Sequence, residues 1–308
     1  MAMKWILAED KMRKLVLVAI LCLAQSCMCS RAAFSADEKL VIGLVPEVNR
    51  KAQIDRYFTL IKYLERKVGV KVGMKYLPNY GATYEEMRDG LIDGGFLGSF
   101  LYCMTRAHIQ SEPIARPVRL DGVSTYTGYT FVRKDSGIKG PGDMKGKTIA
   151  LVDPLSMSGY LAQRLFFKKH GIDINKDVKI FWVGSHDASV MAVFNKQADM
   201  GGAKNHVFNK LVSENAAAKE ALSILDESPA VPDSVLAVSK NLNPKIKEKI
   251  KNVFAAMASD PVGQGILRKF GARAFIETKD EDYRDLYGMI KKAGIDLMTY
   301  SYSKDSVR

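Results

Sequence analysis

The chain has 308 residues, 47% hydrophobic and 26% charged, a balance that supports one large or two medium cores and excludes a disordered chain or a minimal disulfide-stapled domain. Its formal charge of +12 favours anions in general. No basic stretch is interleaved with aromatics and no zinc-finger or RNA-binding signature occurs, so no nucleic-acid partner is expected.

The first 35 residues read as an address. Lys11, Arg13 and Lys14 precede the apolar run Leu15 to Ala24, and the small-residue stretch Ala32 to Ala36 follows, the layout of a secretory signal peptide starting near Met12. An apolar run of about ten residues is half of what a membrane span needs. Removing residues 1–35 takes away five basic and two acidic side chains and leaves about +9. Cys22, Cys27 and Cys29 lie in or just after this segment and only Cys103 remains, so no disulfide framework, metal or cofactor is expected. Ala24-Gln25-Ser26-Cys27 resembles a lipoprotein processing box with Ala in place of the usual Leu. Two exported forms are therefore expected as alternatives: soluble in the periplasm, or anchored through Cys27.

From Leu40 the signals run strand (Leu40 to Val45), Pro-containing loop (Pro46 to Asn49) and amphipathic helix, with Ile54, Phe58, Ile61 and Leu64 at helical spacing and Gly69 closing it. A strand at Val70 to Leu77, a helix around Tyr84 to Leu91 and a strand reached through Asp93-Gly94-Gly95 complete a βαβαβ unit. The same order returns about a hundred residues later. Thr148 to Val152 is a strand, Asp153 to Gly159 a loop, Tyr160 to His170 a helix closed by Gly171, Val178 to Val183 a strand and Ala188 to Asn195 a helix; Asp199 to Lys204 stands where Asp93 to Gly98 stood.

Two similar α/β units imply two lobes. Ser124 to Val132, rich in Thr, Tyr and Val, reads as a strand crossing between them, and Val235 to Val238 as the return crossing, so that the pair forms a hinge. Residues 36–127 with 234–308 are expected to form the first lobe and residues 128–233 the second. The helices near Pro244 to Ala258, Pro261 to Phe270 and Asp282 to Ala293 would pack on the first.

In open α/β sheets a ligand lies beyond the carboxyl ends of the strands, so both lobes should offer strand-to-helix loops to a shared cleft. The richest loop is Ser156-Met157-Ser158-Gly159-Tyr160: two hydroxyls and a glycine enter a helix whose first amides lack partners at the positive end of its dipole. That suits a tetrahedral anion, although Ser156 or Ser158 as a plain helix cap explains the same residues. His186, in Gly184-Ser185-His186-Asp187, could donate to an oxyanion or serve as an ordinary structural histidine. Tyr80, Ser99, Tyr126 and Thr127 lie in loops or at the crossing strand and could add hydroxyls from the first lobe; each also suits plain packing.

These loops carry a resemblance. Gly43 to Glu47, Ala115 to Val118, Ser124 to Tyr126, Val132 to Ile138, Met144 to Thr148, Asp153-Pro154 with Ser156 to Tyr160, and Gly184 to Ala188 follow in matching order over roughly Leu40 to Tyr287. Together they resemble the periplasmic phosphate, phosphite and phosphonate-binding proteins of ABC transporters. The resemblance implies an α/β type II periplasmic-binding fold that closes like a flytrap and a monomer that delivers its ligand to a membrane permease. It also implies that Ser156, Ser158 and His186 hold the phosphonate group with the Met157 amide, beside Gly159. Met157 stands where the family usually has Thr, and Leu97 where an aromatic is common. Members that bind aminoalkylphosphonates present carboxylates to the amine, whereas Gly202-Ala203-Lys204-Asn205-His206 offers Lys and His. A compact oxyanion is therefore expected, with Glu47 and Asp233 as carboxylates that could still reach the cleft.

Two other functions compete. A hydrolase using Ser156 or Ser158 with His186 is disfavoured because no Gly-x-Ser-x-Gly elbow or metal motif is present. A sensor of an oxyanion such as arsenite, acting with a membrane histidine kinase, would need a thiol, for which Cys103 is the candidate; a small buried hydrophobe explains Cys103 equally.

Overall fold

Residues 39–302 are described by the structure, a computed structural model; the expected signal peptide and Cys22, Cys27 and Cys29 lie outside them. Strand β1 (Lys39–Leu44) becomes continuously buried along its length because parallel neighbours cover both edges, β2 (Lys71–Tyr76) and β3 (Gly94–Leu97). Helix α1 (Arg50–Val68) starts at Asn49, whose side chain accepts from the Lys51 and Ala52 amides, and stops at Gly69 in the left-handed conformation (φ 81°). Its buried face holds Ile61 and Leu64 as expected, but Gln53 and Tyr57 replace Ile54 and Phe58, and Phe58 is 53% exposed. Gln53 belongs inside because it holds the preceding loop, accepting from the Glu47 amide at 3.0 Å and donating to the Val45 carbonyl at 2.6 Å.

Two further elements depart from expectation. Helix α2 (Tyr80–Arg88) begins four residues early because Asn79 caps it through the Ala82 amide, so Tyr80 is a helix residue and not a loop residue. Helix α3 (Ser99–Ile109) replaces the loop expected at Ser99; Ser99 to Thr105 are buried without interruption, which leaves no amphipathic period to read.

The first sheet has the order β13-β4-β12-β3-β1-β2, with β4 (Glu112–Arg119), β12 (Val235–Val238) and β13 (Ala272–Glu277) antiparallel to their neighbours. The second has the order β10-β6-β9-β7-β8, formed by β6 (Gly128–Arg133), β7 (Thr148–Leu151), β8 (Lys179–Trp182), β9 (Met200–Lys204) and β10 (Leu222–Glu227). Each sheet thus contains three parallel strands ordered second, first, third, with one antiparallel strand beside the third: β12 next to β3, and β6 next to β9. The repeat visible in the chain is this shared arrangement, and the two mixed sheets form two lobes.

The segment Ser124 to Val132 is two strands, not one. Strand β5 (Thr125–Tyr126) pairs antiparallel with β11 (Val231–Pro232), so the two passages between the sheets pair with each other, and β6 begins separately at Gly128. The return passage is therefore β11 and not Val235 to Val238, which is β12, held between β3 and β4 within the first sheet. Helix α4 (Ala162–Lys169) follows a π-turn at Met157–Leu161, and α5 (His186–Phe194) follows β8. Helices α6 (Asn205–Glu214) and α7 (Ala216–Ala221) lie between β9 and β10. Helices α8 (Pro244–Ala256) and α9 (Pro261–Phe270) pack on β13, and both also touch α1. Helix α10 (Arg284–Lys292) packs on α3 and also reaches α4, where Arg164 donates to the Ala293 carbonyl and Lys168 to that of Lys292. No helix among the described residues is long and apolar enough to cross a membrane.

Candidate functional site

After β7 the chain folds back tightly. The Val152 amide donates to the Gly159 carbonyl at 3.0 Å, the Ser156 amide to the Asp153 carbonyl at 2.9 Å, and the Leu161 amide to the Ser156 carbonyl at 3.1 Å. That last bond spans five residues and makes the turn a π-turn, a form common where backbone is shaped for a site. Ser156 caps it, accepting the Gly159 amide at 3.0 Å, which leaves Met157 and Ser158 as the first amides without an intrahelical acceptor. Gln163 fixes the turn from behind, donating to the Ser158 and Tyr129 carbonyls at 3.1 and 3.0 Å. Gly128 permits the close seat on β6: a Cβ there would stand 2.9 Å from the Ser158 Cα.

Ser156, Met157, Ser158 and Gly159 are all buried, but the Met157 side chain belongs to the apolar cluster of Leu97, Phe100 and Leu155. What Met157 can offer a ligand is therefore its amide. Tyr80 reaches this turn from the first lobe with its hydroxyl near Ser156; burial, then Glu47 and Asp153, hold that phenol well above its ordinary range. The Tyr80 amide donates to Asp153 Oδ2 at 3.2 Å, and Asp153 Oδ1 accepts from Leu155 at 2.8 Å.

His186 opens α5 and is buried. Its amide donates to the Glu47 carbonyl at 3.1 Å, and its Nδ1 accepts from the Lys204 amide at 3.2 Å. A ring that accepts at Nδ1 is neutral and carries its N–H on Nε2. Burial pushes the imidazole down to about 3, with Glu47 pulling the other way. His186 is thus a neutral hydrogen-bond donor.

Beside it lies a cluster that a reading along the chain did not assemble. The buried Lys204 ammonium donates to Glu47 Oε1 at 2.8 Å, Asp233 Oδ1 at 2.7 Å and Ser234 Oγ at 3.0 Å, and stands 4.3 Å from the centre of the Tyr126 ring. Glu47 Oε2 accepts from Arg56 at 2.7 Å and Asp233 Oδ2 from Arg119 at 3.2 Å. Burial works against the Lys204 charge, but Asp233 and Glu47 outweigh it and hold the ammonium above the ordinary lysine range. Both carboxyls are held below theirs: burial opposes this, and Lys204 prevails. His206, close by, is pushed down to about 4 by burial and then by Lys204. A cavity of about 300 Å³ borders the cluster, with Arg56, Arg119, His206, Lys210 and Lys269 in its wall.

The remaining candidates are placed as follows. Tyr126 reaches the cluster, but its hydroxyl is bonded to Ser99 Oγ at 2.9 Å, and Ser99 in turn donates to the Pro232 carbonyl at 2.6 Å. Ser99 therefore ties α3 to the β5–β11 pair. Thr127 is not gathered with the others; it sits at the break between β5 and β6 and donates to Glu227 at 2.7 Å. Cys103 is fully buried within α3 and the apolar core, where burial raises its thiol well above the ordinary range. Among the described residues no group of His, Cys, Asp and Glu could hold a metal ion.

Comparison with known proteins places this architecture. A profile of the family described as "ABC transporter, phosphonate, periplasmic substrate-binding protein" matches residues 42–283. The "Phosphate-import protein PhnD" of Mycolicibacterium smegmatis is 28% identical over 241 residues, 75% of each chain. The "Phosphonates-binding periplasmic protein" of Escherichia coli is 26% identical over 249 residues, 79% of this chain and 73% of its own. Among solved structures, PhnD1 of Prochlorococcus marinus in complex with methylphosphonate superposes with a TM-score of 0.74 at 21% identity, covering 83% of this chain and 98% of that one. The fold is thus the two-lobed type II periplasmic-binding architecture, shared also with an ancestral arginine-binding protein at a TM-score of 0.53. The chain belongs to the periplasmic substrate-binding proteins of phosphonate, phosphite and phosphate ABC transporters, a family of non-catalytic binding components.

Proposed function

We propose that this protein captures a small phosphorus oxyanion (phosphate, phosphite or a simple alkylphosphonate) between its lobes and hands it to the permease of its transporter. The observation that carries this reading is the buried π-turn: it leaves the Met157 and Ser158 amides without intrahelical acceptors, with Tyr80 beside Ser156, while a neutral His186 starts the helix that follows the neighbouring strand β8. Several donors and no unpaired carboxylate on that turn fit a tetrahedral anion with several acceptor oxygens. Ser156, Ser158 and His186 are the residues assigned to the anion, with Tyr80 completing the set from the first lobe. The names of the curated relatives, which import phosphate or bind phosphonates, agree in ligand class.

Residues 36–127 with 234–308 and residues 128–233 are proposed as the two moving bodies, joined at the β5–β11 pair. Ligand contacts from both sides favour the closed arrangement, which the permease reads as a shift in population. Export through the N-terminal segment, with or without an anchor at Cys27, completes the proposal. The Cys103-dependent arsenite reading gains nothing from a thiol sealed in the core.

The test is a thermal-unfolding and calorimetric series with purified protein against phosphate, phosphite, methylphosphonate, sulfate and arsenite. Stabilisation by at least one phosphorus oxyanion is expected by mass action. No shift with any of them at millimolar concentration rejects the assignment.

A further inference from the structure

Lys204 has the surroundings of a bound ligand rather than of an ordinary surface lysine. An ammonium carries three N–H donors, and here each has its own acceptor, from Glu47, Asp233 and Ser234, while an aromatic face from Tyr126 lies alongside. The cluster draws on both lobes and on the return passage between them: the acceptor Glu47 follows β1, the donor Lys204 ends β9, and the acceptors Asp233 and Ser234 precede β12. The backbone of Lys204 touches His186. The ammonium thus occupies a carboxylate site next to the group assigned to the anion.

We propose that Lys204 is a built-in ammonium filling this carboxylate site, and that it restricts the ligand to phosphorus oxyanions that carry no ammonium of their own. The proposal rests on the anion reading above and deepens it. With Lys204 in place, the chain Arg56–Glu47–Lys204–Asp233–Arg119 has three cations against two carboxylates, a net charge of +1. An incoming ammonium finds no unpaired carboxylate oxygen, and the neighbouring cavity adds Lys210 and Lys269 to the repulsion. Without the Lys204 ammonium, Glu47 Oε1 and Asp233 Oδ1 would each lose a partner while Arg56 and Arg119 still hold the other two oxygens. The site would then be an aromatic-walled pocket with two convergent anionic oxygens, able to take an ammonium from solution or from a ligand.

Isothermal titration of the wild type with ethylphosphonate and 2-aminoethylphosphonate, and of Lys204→Ala with the same pair, tests this. The wild type is expected to prefer ethylphosphonate by about tenfold or more, the scale of a lost charge-assisted hydrogen bond, and Lys204→Ala to move the ratio toward the amine by a similar factor. Adding Glu47→Gln to Lys204→Ala should cancel the gain. Ethylammonium chloride, against sodium chloride of equal strength, should raise the melting temperature of Lys204→Ala and not of the wild type, a readout that needs no phosphonate binding. Equal wild-type affinity for the two phosphonates, an unchanged ratio in Lys204→Ala, or equal stabilisation of both proteins by ethylammonium would each overturn the proposal. A wild type that binds neither phosphonate nor phosphate, while Lys204→Ala still responds to ethylammonium, would sink the anion reading and leave the ammonium site standing.

Discussion

The amide of Tyr80 and the carboxylate of Asp153 meet at 3.2 Å between the lobes, one from the first residue of α2 and the other from the loop after β7. Asp153 uses its second oxygen on the Leu155 amide, so both oxygens accept and neither site tolerates a donor. Asp153→Asn must turn an NH2 toward one of these amides. The expected cost is about 1–3 kcal/mol, the penalty for leaving a buried donor unmatched. Because one of the two bonds joins the lobes, the loss should be larger with saturating ligand than without. Urea unfolding of both proteins, with and without methylphosphonate, measures it; equal stability in all four states would contradict the arrangement.

Ser156 and Ser158 separate a structural from a binding role. Ser156 accepts the Gly159 amide, so Ser156→Ala removes a cap and should cost about 1 kcal/mol in the unliganded protein as well as weaken anion binding. Only the carbonyl of Ser158 is held within the fold, by Gln163. Ser158→Ala should therefore leave unliganded stability within about 0.5 kcal/mol and reduce oxyanion affinity by about tenfold. Calorimetry together with denaturant curves distinguishes the two; a Ser158→Ala protein that binds normally removes Ser158 from the site.

The Ser156–Gly159 loop was readable along the chain because hydroxyls and a glycine at a strand-to-helix junction announce local backbone chemistry. The Lys204 cluster was not, since its carboxylates lie 157 and 29 residues away and only the meeting of β1, β9 and the return passage brings them together. The βαβαβ repeat was equally legible, each parallel strand carrying a short apolar run. Strand β4 was hidden: it contains Pro113 and Pro117 and nevertheless pairs on both edges, with register shifts between Leu236 and Ala237 and between Ala272 and Ala274. Prolines argue against an interior strand, and bulges of this kind accommodate them. In α1 the apolar spacing pointed one residue off the true face, because Gln53 and Tyr57 are buried for their hydrogen bonds and rings, which hydrophobic periodicity does not register.

Gly128 sets how closely the anion turn sits on β6. An added methyl would meet the Ala162 Cβ at 2.8 Å and the Ser158 Cα at 2.9 Å, backbone and a side chain with no freedom to move aside. Gly128→Ala should destabilise the protein by about 1–3 kcal/mol, the range for overpacking, and lower oxyanion affinity by pushing the Ser158 amide out of place. Gly140→Ala, where nothing lies within 4 Å, is the matched control and should do neither. If the two variants behaved alike, the close seat would have no consequence.

His186 gives the fold a pH dependence of known sign. Its ring titrates near 6.5 when unfolded and is pushed down to about 3 by burial in the folded protein, where Glu47, Lys204 and His206 face it. Between those values the unfolded chain binds the extra proton, so the contribution is fully present above pH ~6.5 and is lost progressively as the pH falls toward 3. His206, pushed down to about 4, acts in the same direction. Asp153 acts in the opposite one: burial raises its carboxyl to about 7 against the pull of its two amide donors, so its contribution is present at low pH and lost as the pH rises through 7. The wild-type curve alone mixes the three. The difference between wild type and His186→Gln isolates one, because glutamine keeps a neutral acceptor for the Lys204 amide and a donor for the anion. That difference in unfolding free energy should be flat above pH 7 and shrink by about 1–2 kcal/mol by pH 5. A flat difference from pH 5 to 8 would mean that burial does not depress the His186 titration, and a difference that instead grew as the pH fell from 8 would mean a cationic imidazole in the folded protein.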